Sequence, residues 1–534
     1  MNLLALSIIV LLFLVVTAVL GFIGFKKTKN STDYLIAGRK IHPVVMALSY
    51  GATFISTSAI IGFGGAAAVY GMGVIWLTFM NIFVGIFLAF VFFGRRTRKM
   101  GHNLDAHTFP ELLAKRYDSR FLQLGGGILI FVAMPLYAGS VIIGGVQFVS
   151  QTLKINYEVA LLFFVAVVAL YVVMGGLKGV MYADAFQGSL MFLGMLFLLI
   201  FTYVELGGVR AAHQALTDMA PVAKSVFGAN GHEGWTAMPK LFSPYWWQLV
   251  STIVLGVGVG VLAQPQLTVR FMTVKSGHEL NRAVLIGGVF IAVMTGVAFT
   301  VGALCNVYFM RTVGKIALIA GDKKTDSIIP LFIDQALPSW FIILFFVTLL
   351  SAAMSTLSSQ FHTMGTAIGR DVLEKGLKLK SRNAVAVNRI AMGFGILLST
   401  LIAYFLPLFY AGGTAIIATG TAIFFGLCAS AFLPSYVGAL YSKRVSRAAA
   451  VSCFISGVTV TLFWLLFVHA KESAPLGLCN LLFGKPALFP ALQHVDPIIA
   501  ALPLSTLVYM VVNKVSRPVS EEITEKAFSG VVSA

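Results

Sequence analysis

The sequence predicts an all-α membrane protein of about thirteen transmembrane helices, and three observations predict it. Of the 534 residues, 58% are hydrophobic and 11% charged, whereas a soluble domain carries about a quarter charged residues, so much of the surface must face lipid. Apolar runs of about 20 residues, the length that crosses a bilayer, recur along the whole chain. Lys and Arg concentrate in every second connection between those runs, the asymmetry that sets membrane orientation.

The runs fall at about 2–25, 43–70, 73–94, 121–149, 157–175, 180–205, 246–270, 283–310, 339–369, 388–408, 411–434, 447–470 and 496–513. The first lacks the basic start and short apolar core of a signal peptide. It reads as a membrane helix stopped by Lys26, Lys27 and Lys29 on the cytoplasmic side. An odd number of spans puts the termini on opposite sides. With the N-terminus outside and the C-terminus cytoplasmic, the cytoplasmic loops hold 28 of the 38 Lys and Arg residues, as the positive-inside rule requires. The expected location is the inner cell membrane, multi-pass. The net charge of +18 is thereby explained by topology, and no nucleic-acid partner is needed. Cys305, Cys428, Cys453 and Cys479 have no paired spacing and read as core residues without a disulfide framework or metal motif.

Two spans are more than lipid-filling helices. The segment Pro43–Tyr70 carries Gly51, Gly62, Gly64 and Gly65 among Thr53, Ser56, Thr57 and Ser58, and the segment Trp247–Arg270 carries Gly256, Gly258, Gly260 and Pro265. Hydrophobic segments interrupted by Gly or Pro at matching positions in two halves point to a transporter binding site. The first opens a five-helix block (43–205) that starts inside, and the second opens another (246–434) that starts outside. Equal helix number with opposite starting side predicts inverted repeats. The blocks are flanked by an extra N-terminal helix and loop (1–42), an extracellular loop (206–245) and two peripheral helices with a cytoplasmic tail (435–534). Each glycine, taken singly, could equally serve close helix packing.

Within the second block, Ala352, Ser355, Thr356 and Ser359 recur at i, i+3, i+4 and i+7 and share one helical face, with Ser358 beside it. Four hydroxyls on an apolar helix suit a small hard cation, which prefers oxygen ligands. They also suit ordinary hydrogen bonding between helices. Asp184 leads a long apolar run, and an acid inside a membrane is functional by default. It could ligate an ion, carry a proton, or simply stabilise a helix N-terminus. His362 reads as a packed neutral ring. Gln264-Pro265-Gln266 interrupts the seventh span, where proline frees carbonyls and two amides offer recognition; a simple kink is the alternative. No Lys or Arg is expected deep in any span, so an anionic solute would be held by helix N-termini, hydroxyls, amides and a co-bound cation. The absence of a phosphate loop, a zinc spacing or a nucleophile–base motif argues against an ATP-driven pump and against an enzyme.

Five stretches in order resemble the sodium/solute symporter family across roughly residues 30–450: Tyr34-Leu35-Ile36-Ala37-Gly38-Arg39; Ile55-Ser56 with Ile61-Gly62; Thr108-Phe109-Pro110-Glu111 through Arg116; Gly175-Gly176-Leu177-Lys178-Gly179-Val180 through Asp184 and Gln187; and Ala352 to Ser359 with Asp371. The resemblance implies the LeuT-type inverted repeat of five plus five helices, with one extra helix ahead of it. It implies a shared sodium site formed by the carbonyls of Ala52, Ile55 and Ala352 and the hydroxyls of Ser355 and Thr356. It also implies a further sodium site at Asp184, Ser358 and Ser359. Ala263 and Ala59 stand where sugar carriers place amides, and the run from Gln264 to Met272 looks more like the proline and pantothenate carriers. The tail is too short for the kinase that some members carry.

The expected function is therefore sodium-coupled symport of a small organic solute, a carboxylate or amino acid, by alternating access. Sodium is the coupling ion, and Thr53, Phe54, Ser56, Gln264 and Gln266 are the expected solute-binding residues. A proton-coupled carrier using Asp184 and a channel or transport-dead sensor remain the alternatives. A channel should line its path with repeated polar rings, which this chain lacks.

Overall fold

A computed structural model describes residues 3–28, 31–172, 176–379, 384–409 and 416–531. Gly175, the start of the span at 411–434 and the stop residue Lys29 lie outside the described residues. The described residues are almost entirely helical, with a single bridge, Ile41 to Val274, between extended segments. Among them, eleven helices are long and apolar enough to cross a membrane. The expected spans 43–70 and 157–175 fall short of that length. The first stops at a break, and the second is described only from Tyr157 to Val172.

The breaks follow from local chemistry. Pro43 starts a twelve-residue half-helix, Pro43–Phe54, as proline does at a first helical position. The chain then passes through Ile55 in an extended conformation (φ −92°, ψ 107°). Ser56 restarts it by accepting the Ser58 amide hydrogen on its hydroxyl at 3.1 Å, a short-range cap. The second half-helix runs on to Tyr70, where Gly71 at φ 76° turns the chain into the next span. The span expected at 246–270 breaks in the same manner. It ends at Ala263, Gln264 is extended (φ −74°, ψ 117°), and Pro265 begins Pro265–Phe271. Proline drives the residue before it out of the α region, so the sequence itself dictates this break.

Burial separates the scaffold from the shell. The most hydrophobic stretch of Ser339–Gly376 is 94% buried and that of Ile416–Tyr441 is 89% buried, against 17% for Leu3–Lys26 and 22% for Ile498–Val515. The half-helix Pro43–Phe54 is packed between Gly176–Glu205, Gly277–Val313 and Ser339–Thr366. Glycine permits the closest approaches: a Cβ on Gly302 would collide with the Gly64 carbonyl, and one on Gly24 would collide with Gly179.

The connections sort to two ends. At one end Arg39 pairs with Asp105 at 3.2 Å, Arg95 donates to Asn281 at 2.9 Å and Arg370 pairs with Glu111 at 2.9 Å. Asn103 joins them to the C-terminal segment by donating to the carbonyls of Ala527 and Ser529. At the other end Trp235 donates to the Ala68 carbonyl at 2.8 Å and Lys471 to Thr419 at 2.6 Å. Two helices at the first end start on an N-cap hydroxyl and a glutamate three residues on that accepts the amide just before the cap, a variant of the capping box. Thr108 and Glu111 close the start of Phe109–Tyr117, and Ser276 and Glu279 close the start of Gly277–Val313.

Candidate functional site

The first break and the hydroxyl face of Ser339–Thr366 meet in the centre of the bundle. Ending the half-helix at Phe54 leaves the carbonyls of its last turn available to partners across the interface. The Ser355 hydroxyl lies 2.9 Å from the Ala52 carbonyl oxygen and 3.3 Å from that of Ala352. The Thr356 hydroxyl lies 3.3 Å from the Ala52 carbonyl and 3.1 Å from the Thr53 carbonyl. Ala52, Ala352, Ser355 and Thr356 are fully buried, and Ile55 is 1% exposed at the break itself. Four of the five residues expected at the shared sodium site are thus in direct contact, and Ile55 adjoins them. These groups are neutral oxygens, a donor chemistry that fits a hard monovalent cation that must also leave.

Asp184, Ser358 and Ser359 also come together, but with a companion that corrects the expectation of no deep cation. Arg270, which closes the expected span 246–270, is fully buried, as is Asp184. Its Nη2 donates to Asp184 Oδ2 at 2.9 Å, to Thr53 Oγ1 at 2.6 Å and to Ser359 Oγ at 2.6 Å. Nε donates to Ser49 Oγ at 3.0 Å, and Ser49 in turn donates to Asp184 Oδ2 at 2.8 Å. Nη1 donates to the Gln266 carbonyl at 2.5 Å. Ser358 is the weakest partner, 3.5 Å from Asp184 Oδ1, and its hydroxyl also reaches the Ser355 carbonyl at 3.1 Å. Asp184 is the ninth residue of Gly176–Glu205, beyond the first turn, so it is not a helix-terminus acid.

Beyond Ile55 lies a small cavity of about 20 Å³, room for about one water. Phe54, Ile55, Ser56, Ser58 and Asn81 line it, facing Tyr137, Thr295, Phe299, Thr421 and Phe425. Ser58 Oγ and Asn81 Oδ1 are buried there without a hydrogen-bond partner. Of the expected solute residues, Phe54 and Ser56 line this cavity. Thr53 faces Arg270 instead. Gln266 donates to Gln264 Oε1 at 3.2 Å and Gln264 donates to the Gly260 carbonyl at 3.3 Å, while Gln266 Oε1 is buried without a hydrogen-bond partner. His362 is buried against Tyr34, with ring centres 5.2 Å apart. Sequence reasoning missed Arg270, Ser49 and Asn81. The signal for Arg270 was present: a lone guanidinium five residues past Pro265, still inside apolar sequence, has room to turn inward.

Two helices broken at matched places, the first of them set against a cluster of buried neutral oxygens, are the features of a secondary transporter of the LeuT-type inverted-repeat class. The family model of the sodium:solute symporter family matches residues 34–457, and the chain belongs to that family. It is 28% identical to the sodium/pantothenate symporter of Haemophilus influenzae, over 85% of this chain and 89% of that one. It is 27% identical to the osmoregulated proline transporter OpuE of Bacillus subtilis, over 86% and 89% of the respective chains. Among solved structures, a sodium-coupled sialic acid symporter in a substrate-bound outward-open state superposes with a TM-score of 0.72 at 18% identity, covering 97% of this chain and 98% of that chain. The protein is a multi-pass, sodium-coupled symporter and not an enzyme.

Proposed function

We propose that this symporter carries a small carboxylate or amino acid through the cavity at Phe54, Ser56, Ser58 and Asn81, driven by sodium bound at Ala52, Ile55, Ala352, Ser355 and Thr356. The observation that carries this reading is the convergence of the Ser355 and Thr356 hydroxyls on the Ala52 carbonyl, one turn from the cavity. The cavity lining is aromatic and aliphatic with a few polar neutral groups, the make-up of a site for a small organic molecule; at about 20 Å³ it must widen before a solute can enter. A solute carboxylate would lie at the start of the second half-helix, where the positive end of the helix dipole faces the break. Sodium between Pro43–Phe54 and Ser339–Thr366 would hold the outward-open form, solute binding would permit closure, and release would follow inward. The N-terminus lies outside and the C-terminus in the cytoplasm, a reading supported by the skew of basic residues.

The test is uptake by proteoliposomes of a panel of amino acids and small carboxylates that includes proline and pantothenate. Accumulation should require an inward sodium gradient. Accumulation driven by a pH gradient alone, with sodium absent, would replace sodium by the proton. Cysteines introduced into 95–120 should be shielded from an impermeant thiol reagent in intact cells, and those in 206–245 should label.

A further inference from the structure

Resting on the sodium-symport reading above, we infer that Arg270 is a tethered cation filling the position beside Asp184, so that the carrier binds a single sodium ion, at the Ala52–Ser355–Thr356 site. The donor set of Asp184, Ser358 and Ser359 does not fit a second sodium in this chain, because the guanidinium already takes two of its oxygens, Asp184 Oδ2 and Ser359 Oγ. Nη2 is within 3 Å of Asp184 Oδ2, Thr53 Oγ1 and Ser359 Oγ at once. Both partners are sealed from water, and further contacts to Ser49 and to the Gln266 carbonyl fix the side chain. Arginine keeps its proton inside proteins, so this positive charge is permanent. A sodium ion there would have to sit against it with no solvent to screen the two. An exchangeable ion leaves in every cycle, whereas this one is bound to the backbone five residues beyond Pro265 and cannot.

The two positions are neighbours. Thr53 offers its carbonyl to Thr356 and its hydroxyl to Arg270, while Ser355 turns its hydroxyl to Ala52 and its carbonyl to Ser358 and Ser359. The fixed charge therefore stands beside the exchangeable one, supported by the same residues.

Equilibrium binding of radiolabelled sodium to the purified full-length chain in lipid nanodiscs, with choline chloride as the replacement salt, tests this without any solute. The wild type should bind one sodium per chain, and Ser355→Ala or Thr356→Ala should weaken it about tenfold. Arg270→Ala should raise the capacity to two, because the Asp184 carboxylate and its neutral oxygens are vacated. Asp184→Asn combined with Arg270→Gln leaves no buried charge unpaired and should still bind one; it decides the matter if the single variant does not fold. Two sodium ions per wild-type chain, none in the neutral pair, or one in a folded Arg270→Ala would overturn the inference. A single bound sodium indifferent to Ser355→Ala and Thr356→Ala would instead remove the Ala52 site and leave the assignment of Arg270 standing.

Discussion

Two polar clusters, one proposed to take sodium and one holding Arg270, lie side by side between Pro43–Phe54 and Ser339–Thr366, and they are built on opposite principles. One gathers the neutral oxygens of Ala52, Ala352, Ser355 and Thr356. The other sets a carboxylate, Asp184, against a guanidinium that belongs to the chain. Neutral dipoles hold an ion without a countercharge, so the ion can come and go. A full carboxylate in a sealed interior needs a full countercharge at all times, because an uncompensated buried charge is far costlier than an unpaired dipole. A second cation 3 Å from the guanidinium would be repelled by roughly 5 kcal/mol at an effective dielectric of 20. The contrast teaches which acid to trust as an ion ligand: the membrane-buried carboxylate attracts notice, yet the exchangeable ion suits the site without one.

The comparison breaks most visibly if either half of the charged position is removed. Asp184→Asn or Arg270→Gln alone strands a buried charge and should destabilise the protein by about 3–5 kcal/mol. Thermal unfolding of the purified variants should show a large drop in midpoint, most of it recovered in the double variant. Equal losses in the double and single variants would mean that the two residues do not act as a pair. At the neutral position the loss should be smaller and should appear in sodium dependence. Ser355→Ala or Thr356→Ala should shift the sodium concentration for half-maximal uptake about tenfold, or about 1.4 kcal/mol, with little change in folding.

A third substitution sharpens the boundary between ion and solute. Asn81→Ala removes a cavity-lining amide outside both cation positions, so it should raise the solute KM several-fold through a loss of about 1 kcal/mol while sparing sodium affinity. The smallest effect concerns an ion pair at one end of the bundle, outside the ion path. Burial raises the Glu111 carboxyl, but the hydrogen bond and charge of Arg370, with Lys115, outweigh it and hold the group below its ordinary 4.5. A lowered carboxylate stabilises the fold above its unfolded value and loses that contribution as pH falls through its folded value. Glu111→Gln should therefore flatten the acid limb of stability below about pH 4.5 and leave sodium binding at neutral pH alone.

The neutral position was legible in the sequence because its rules are local. The 3–4 spacing of Ala352, Ser355, Thr356 and Ser359 puts them on one face wherever that helix packs. Pro265 forces Gln264 out of the helix in any context, and the Gly, Ser and Thr residues scattered from Gly51 to Gly65 announced a broken segment. Family resemblance then joined two segments about 300 residues apart that periodicity alone could not bring together. The charged position was half legible. Asp184 stood out as an acid in apolar sequence, but Arg270 lay where a span was expected to end, and there a basic residue ordinarily anchors the helix in water. Its inward turn depends on Ser49, Thr53, Asp184 and Ser359, supplied by three other helices. The amides of Gln264 and Gln266 pose the same problem: whether they meet solute or each other is settled by rotation of the short helix Pro265–Phe271 and not by residue type.

The most direct test is the coupling ratio. Once the panel has supplied a transported solute, proteoliposomes loaded with choline salt can be given radiolabelled sodium and labelled solute together, and the initial solute-dependent influx of each counted. If Arg270 occupies the charged position and only the neutral one exchanges, one sodium ion enters with each solute molecule. Two sodium ions per solute would contradict the account, since the second would need a site that the guanidinium already fills.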